Sequence, residues 1–257
     1  MSAPNRQPDK PRAKGPVELV VAVTFGLISV SLGSWMVGIF IEVGGSFYFW
    51  KGQGIRHAQS IVHEDLRYIA AAPRSLLVPD TVGFSLKVAQ YVRWPYEKLG
   101  VLRWYQAMQR PAAPTVQPVA QQPVSAHNAA LSNARQFTRW MAQQLSEWLV
   151  VSMFVAQDVA LRLCVAAFAM PAFALSCLMG LIDGLVRRDL RRWTGGRESS
   201  FLYHHAKRYT HWALTGGFGL YLSWPFGGFN PAYMVLVFTF LVAFSLSTTV
   251  AAFKKYA

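Results

Sequence analysis

Few residues in this chain have the types and spacing that catalysis or metal binding requires. Asp158 and Asp183 lie at opposite ends of one apolar stretch, so they cannot work as an acid–base pair. His204 and His211 share a helical face, but no Cys or carboxylate at ligand spacing joins them. The run from Gly216 to Gly219 lacks the Lys-Ser/Thr that completes a phosphate loop. We therefore expect no catalytic residue, no metal and no cofactor, and we interpret the chain as not an enzyme.

Arginines between two apolar runs are the one group present in surplus. They are spaced i, i+1, i+4 and i+5, which places them in one basic stripe on a helix. Cations beside a membrane span mark its cytoplasmic end and contact anionic lipids. Topology needs fewer cations than this connector carries, so two interpretations stay open: a lipid and topology anchor, or a docking surface for an acidic partner. The candidate docking residues are Arg187, Arg188, Arg191, Arg192, Arg197, Glu198, Tyr203 and His204.

The composition favours a membrane protein. The chain has 257 residues, of which 53% are hydrophobic and 14% charged, with a net charge of +13. A basic excess of this size also suits nucleic-acid binding. Here the cations are spread along the chain and stop at the apolar runs, so we do not expect direct contact with nucleic acid. They suit an anionic membrane surface instead.

The predicted fold class is an all-α membrane protein with four transmembrane helices and a long external region of amphipathic helices between the first and second. Each span is an apolar run near the roughly 20 residues that cross a bilayer. The predicted order is a disordered basic cytoplasmic tail (1–16), the first span (17–41), the external region (42–162) with a Pro/Gln linker (111–128), the second span (163–186), a basic cytoplasmic connector (187–208), the third span (209–226) and the fourth span (232–253). Among the short segments, the tail carries four cations, the connector seven and the carboxyl end two, whereas the turn between the third and fourth spans has none, so both termini are predicted to be cytoplasmic.

Small residues predict close contacts between the spans. Gly180 and Gly184 form a GxxxG step that lets another helix approach, and Pro171 should kink the second span. Asp158 and Arg162 are four residues apart and can pair on one helix face. The predicted helix-packing positions are Gly180, Gly184, Gly216, Gly217 and Gly219.

The run from Gly180 to Arg208, GLIDGLVRRDLRRWTGGRESSFLYHHAKR, resembles the signature of the integrating conjugative element membrane protein family. Members of that family are four-pass inner-membrane proteins of unknown biochemical activity, carried by mobile elements with type IV secretion machinery. The resemblance implies a non-enzymatic inner-membrane component of a conjugative DNA-transfer apparatus. Its implied partners are other secretion-system membrane proteins, the coupling ATPase above all, which it would position or stabilise. No catalytic residue comes with the family.

A small multi-pass transporter or channel subunit is the alternative function. Polar residues lining a common face of several spans would favour transport, and the sequence shows few of them. The sequence leaves open whether the chain forms an oligomer.

Overall fold

The computed structural model describes residues 15–72, 75–110, 126–194, 215–224 and 230–251. Within these ranges the chain forms eight helices and no strand, which confirms the predicted all-α fold. The predicted tail and most of the Pro/Gln linker lie outside the described residues. The helices are α1 (Pro16–Tyr48), α2 (Gly54–Ala71), α3 (Thr81–Lys98), α4 (Val101–Gln109), α5 (Ala126–Phe168), α6 (Met170–Thr194), α7 (215–222) and α8 (Pro231–Ala251).

Four of the described helices are long and apolar enough to cross a membrane, namely α1, α5, α6 and α8. The predicted third span, 209–226, is described only from residue 215 to 224. The predicted second span, 163–186, covers the end of α5 and most of α6.

The junction between α5 and α6 is an interruption rather than a reversal of direction. Ala169 alone separates the two helices, two positions before Pro171. The amide of Ala169 donates to Val165 O at 3.0 Å and the amide of Phe173 donates to Ala169 O at 3.1 Å. The helical hydrogen bonds therefore continue through the junction, and the chain keeps running away from α5 as α6. Proline has no amide hydrogen and crowds the preceding turn, which explains a break at this place.

The long helix α5 is the centre of a bundle. Its 43 residues extend about 65 Å at 1.5 Å per residue. Helices α1, α2, α3 and α4 all pack on it. α3 runs antiparallel to α5, because Gln157 bonds to Ala89 O while Ser152 bonds farther along α3, to Tyr96.

Two turns need glycine. Gly52, between α1 and α2, and Gly100, between α3 and α4, both have φ of 71°, where a side chain would be strained. Asp80 caps α3 by accepting from Gly83 N at 2.8 Å. The two glycine turns and the Asp80 cap mark where α2, α3 and α4 begin or end, and these three helices pack around α5. The apolar contacts between them centre on Val62, Ile69, Ala89 and Leu161.

Helix α1 changes its surroundings along its length. Its first half presents exposed apolar side chains such as Val20, Phe25 and Leu32. In its second half Ser34, Gly38 and Glu42 are buried at four-residue spacing, which makes one buried stripe, and Gly38 in the middle of this stripe faces α5. A side chain at Gly38 would lie 2.7 Å from Val155 Cγ1, so the two helices are in close contact there.

The helices α6 and α8 form a second unit. They run in the same direction, because Gly180 lies against Ala243 and Gly184 against Ser247 and Val250. Their outer faces carry exposed apolar side chains, as expected for helices surrounded by lipid. The short helix α7 connects the two units. Its Tyr221 and Leu222 pack with Phe238 of α8, beside Val30 of α1 and Leu163 of α5.

Candidate functional site

The predicted basic stripe lies at the carboxyl end of α6, after the helix has passed α8. Arg187 and Arg192 are exposed, and Arg188 and Arg191 are half-buried. The half-buried pair continues the helix face of Gly180 and Gly184, which packs against α8. The stripe is therefore wide enough to cover two surfaces of α6, one exposed among the described residues and one that continues the face packed against α8.

One of the four arginines is already paired. Arg187 Nε lies 2.9 Å from Asp183 Oδ2, one helical turn back. The same carboxylate oxygen accepts a hydrogen bond of 2.5 Å from Ser247 Oγ on α8. Asp183 thus ties α6 to α8. Its pair with Arg187 is about half exposed, so solvent screens the two charges and the pair contributes little stability.

Among the residues that the structure describes, no carboxylate pairs with Arg188, Arg191 or Arg192. Arg191 and Arg192 occupy the last turn of α6, where cations interact favourably with the helix dipole. The helix dipole explains why two cations lie here but not why both are arginines, since lysine would interact with the dipole equally well. The remaining predicted docking residues, Arg197, Glu198, Tyr203 and His204, lie outside the described residues.

The predicted packing glycines separate into two groups. A β-carbon at Gly180 would lie 2.5 Å from Ala243 O, and one at Gly184 would lie 2.8 Å from Ser247 O. Both glycines are buried, so the GxxxG step is where α8 touches α6. A β-carbon at Gly217 would lie 3.1 Å from the Phe238 ring, and one at Gly219 would lie about 4 Å from Val30 and Ser34 of α1. A β-carbon at Gly216 would meet no atom within 4 Å among the described residues.

A buried ion network, which the sequence predicted only in part, joins three helices. Arg162 Nε of α5 lies 3.1 Å from Asp65 Oδ2 of α2 and 3.0 Å from Asp158 Oδ1, one turn back on α5. Its Nη1 donates to Tyr221 O of α7 at 2.7 Å. All three charged side chains are nearly fully buried. Removing two acids and a base from water costs free energy, and the attraction between the opposite charges offsets that cost.

The contact between Arg162 and Asp158 is an ion pair without hydrogen-bond geometry. Within the described part of the chain, Asp158 Oδ1 and Tyr221 Oη are buried atoms with no hydrogen-bond partner. Only the i, i+4 pairing of Asp158 with Arg162 was predicted; the contribution of Asp65 was not. A signal was present, because Asp65 lies on the same face of α2 as buried Ile61, Val62 and Ile69. A charge on an apolar face needs a partner.

A second buried pair connects α1 to α2. His57 Nδ1 lies 3.0 Å from both carboxylate oxygens of Glu42. The Trp50 ring stacks on the His57 ring with centroids 3.8 Å apart. Glu42 is 3% exposed, so this pair fixes how the chain turns from α1 into α2. No group of His, Cys, Asp and Glu in the described ranges could hold a metal ion.

The described part of the ion network leaves little room for a solute. The cavity beside Asp65, Arg162 and Tyr221 has a volume of about 10 Å³. That is about the minimum space for one water molecule. The network therefore holds α2, α5 and α7 together in this structure. Its acids are held by Arg162 instead of lining an open path.

Comparison with protein families matches residues 49–254 to the family described as IncC plasmid conjugative DNA transfer protein DtrJ-like. No curated protein and no solved structure matches the chain. The matched region covers most of the chain, from α2 to α8, including the stripe and both glycines of the α6–α8 contact, and it begins directly after α1. The predicted resemblance to conjugative membrane proteins is thus right at the level of conjugation, while the matched family is described from a plasmid rather than from integrating elements. The chain belongs to the DtrJ-like family of conjugative DNA transfer proteins.

Proposed function

We propose that this protein is a non-enzymatic inner-membrane component of a conjugative type IV secretion apparatus, in which it positions or stabilises the coupling ATPase. The observation that carries the proposal is the group Arg188, Arg191 and Arg192. It extends from a membrane helix without a carboxylate partner among the described residues. Family membership supplies the process, conjugative DNA transfer. We expect the protein to have the same role whether its gene lies on a plasmid or on an integrating element.

The orientation in this proposal follows the cations. The stripe ends α6 on the cytoplasmic side, where an ATPase has access to it, and both termini are on that side. The bundle of α2, α3, α4 and the first part of α5 then lies on the external side. Anionic lipid headgroups would surround the stripe and share it with the protein partner.

Arginine and lysine variants separate docking from simple charge. Arginine forks bind carboxylates through two parallel hydrogen bonds, whereas lysine keeps the charge and loses the fork. Changing Arg188, Arg191 and Arg192 together to Lys should preserve membrane insertion and lipid attraction. We expect co-purification of the coupling ATPase and DNA transfer both to fall sharply.

A matched control is available on the opposite side of the protein. Arg56, Arg67 and Arg103 are exposed arginines of α2 and α4, and changing these three to Lys should leave transfer unchanged. If the stripe Lys protein transfers DNA like the parent while Ala at the same positions fails, the stripe is only an electrostatic anchor. If the Ala protein also transfers normally, the stripe has no part in function.

A small transporter or channel subunit is the second candidate, and it would require the buried Asp65–Asp158–Arg162 network to open, because the cavity beside the network has room for about one water molecule in this structure. Buried ionisable groups in a membrane protein often lie on ion or proton paths. Transport predicts proton or cation flux in vesicles that contain the purified protein, with loss of flux in Asp65→Asn. A protein that conducts nothing while still binding the coupling ATPase would exclude this candidate.

A further inference from the structure

The tip of the α2–α3 hairpin carries apolar side chains that nothing in the described structure covers. Leu76 is 88% exposed and Leu77 is 58% exposed. From residue 75 to residue 86 the only charged side chain is Asp80, and it is occupied in capping α3. A loop that faces water normally has polar residues at its tip. Adjacent exposed leucines indicate a contact surface.

Two contacts fix the position of this tip along the protein. Ser75 Oγ donates to Phe168 O at 3.2 Å. The Phe84 ring meets the Phe168 ring edge-on, with centroids 6.0 Å apart. Phe168 is the last residue of α5, directly before α6 begins. The hairpin tip therefore lies at the level where the apolar helix α6 starts.

The start of α8 lies at the same level. Ala72 and Thr81 of the hairpin line one cavity of about 200 Å³ together with Phe168, Asn230 and Pro231. Pro231 begins α8, the apolar helix that runs alongside α6. Tyr233, one turn into α8, is 65% exposed, and exposed tyrosine is typical of the boundary between lipid and water. The tip and the ends of two membrane helices thus share one plane.

We propose that the α2–α3 hairpin inserts Leu76 and Leu77 into the lipid leaflet at the end of the membrane where α6 and α8 begin. The ligand is lipid: acyl chains contact the leucines, and the cations that flank the apolar segment in the sequence, Arg74 and Lys87, are of the type that binds lipid phosphates. The bundle is then held to the membrane by its own hairpin as well as by the helices that cross it. The proposal requires that α6 and α8 cross the membrane, and it is independent of the arginine stripe.

Lipid is favoured over a protein partner by position. Exposed apolar side chains also lie in the second turns of α6 and α8, just past the level of the tip, and include Leu175 and Leu236. A protein partner at this level would have to displace lipid from those side chains as well. A lipid leaflet covers all of them at once.

Spin labelling of the full-length protein measures the depth of the tip directly. Leu76→Cys is labelled with a nitroxide in a Cys177→Ala background, since Cys164 is buried. The protein is reconstituted in vesicles of phosphatidylcholine and phosphatidylglycerol. Collision rates of the label are measured with oxygen, which concentrates in lipid, and with a water-soluble nickel chelate. Gln106→Cys on α4 is the exposed control in water, and Phe240→Cys on α8 is the control in lipid.

We expect the ratio of oxygen to nickel collisions at position 76 to exceed the ratio at position 106 several-fold and to approach that at position 240. A label at position 77 repeats the test if the Leu76 variant folds poorly. A ratio at position 76 equal to that at 106 places the tip in water and overturns the proposal. Low collision rates with both reagents mean that protein covers the tip, which also overturns it. If position 240 itself reports water, then α8 does not cross the membrane, and the membrane component of the proposed function fails with it.

Discussion

The bundle around α5 and the pair formed by α6 and α8 both contain helices apolar enough to cross a membrane, yet the two regions pack in opposite ways. In the most apolar stretch of α5, 61% of the residues are buried by protein, compared with 11% in α6 and in α8. The bundle covers α5 with amphipathic helices and buries charges between them. The pair relies on glycine to bring two backbones together and leaves the rest of its surface apolar. Most of α5 is surrounded by protein, whereas the exposed faces of α6 and α8 suit lipid.

This difference determines how strongly the loss of a polar side chain lowers stability in each region. Arg162 and Asp65 are each almost inaccessible and depend on each other. Asp183 and Arg187 are about half exposed, and water or headgroups can replace either partner. We therefore expect the bundle to be sensitive to changes of charge and the pair to be sensitive to changes of size.

The largest expected effect separates the two regions by side of the membrane. Gln106 belongs to the bundle and Thr194 ends α6, and both are exposed. With the proposed orientation, Gln106→Cys should be labelled in intact cells by a membrane-impermeant thiol reagent, and Thr194→Cys should be labelled only after lysis. The parent chain measures the background from its own two cysteines. The reverse pattern would contradict the orientation and remove the stripe from the reach of a cytoplasmic partner.

The next effect tests the charges of the bundle. Arg162→Met should destabilise the protein by about 3–5 kcal/mol, because it leaves Asp65 and Asp158 buried without their cation. The measurement is the fraction of protein that stays monodisperse in detergent after heating. Arg93→Met is the matched control, since its pair with Glu97 is half exposed and contributes about 0–1 kcal/mol.

A triple variant sharpens this test. Combining Arg162→Met with Asp65→Leu and Asp158→Leu removes every member of the network, and apolar replacement of a buried ion cluster is often neutral. The triple variant should recover most of the stability that the single change loses. Equal losses in the single and triple variants would show that the network does more than balance its own charges.

The third effect tests size in the α6–α8 pair. Gly180→Ala and Gly184→Ala should each cost about 1–3 kcal/mol, because the added carbon meets backbone atoms of α8 that cannot rotate away. Gly33→Ala on α1 is the control, since nothing lies within 4 Å of that position among the described residues. Thermal stability in detergent measures both. If the Gly180 and Gly33 variants behave alike, the close contact between α6 and α8 is absent.

The smallest effect concerns the polar tie between the same two helices. Ser247→Ala removes the hydroxyl that Asp183 accepts from, at a cost of about 0.5–1.5 kcal/mol. Asp183 keeps Arg187 and contact with solvent, which limits the loss. A difference in melting temperature between Ser247→Ala and the parent measures it. A loss as large as that of Arg162→Met would show that Asp183 is far more buried than the structure indicates.

Periodicity and charge were enough to predict much of this protein. The apolar runs predicted an all-helical membrane protein, and Gly180 with Gly184 predicted a close helix contact. Pro171 predicted a disturbance near the α5–α6 junction. These features are local, because a helix, a glycine face and a proline break depend on residues within a turn or two. The arginine stripe was visible for the same reason, and its partner remains a prediction.

The tertiary structure alone decided which apolar helix is covered by protein and which charges meet. Hydropathy gives α5 and α6 similar scores, but α5 is surrounded by α1 to α4 whereas α6 touches mainly α8. Asp65 and Arg162 are separated by 97 positions in the chain, and no spacing rule connects them. Tyr221 completes the network from a third helix. Composition determines that a buried charge must find an opposite charge, and only the packing of helices determines which one it finds.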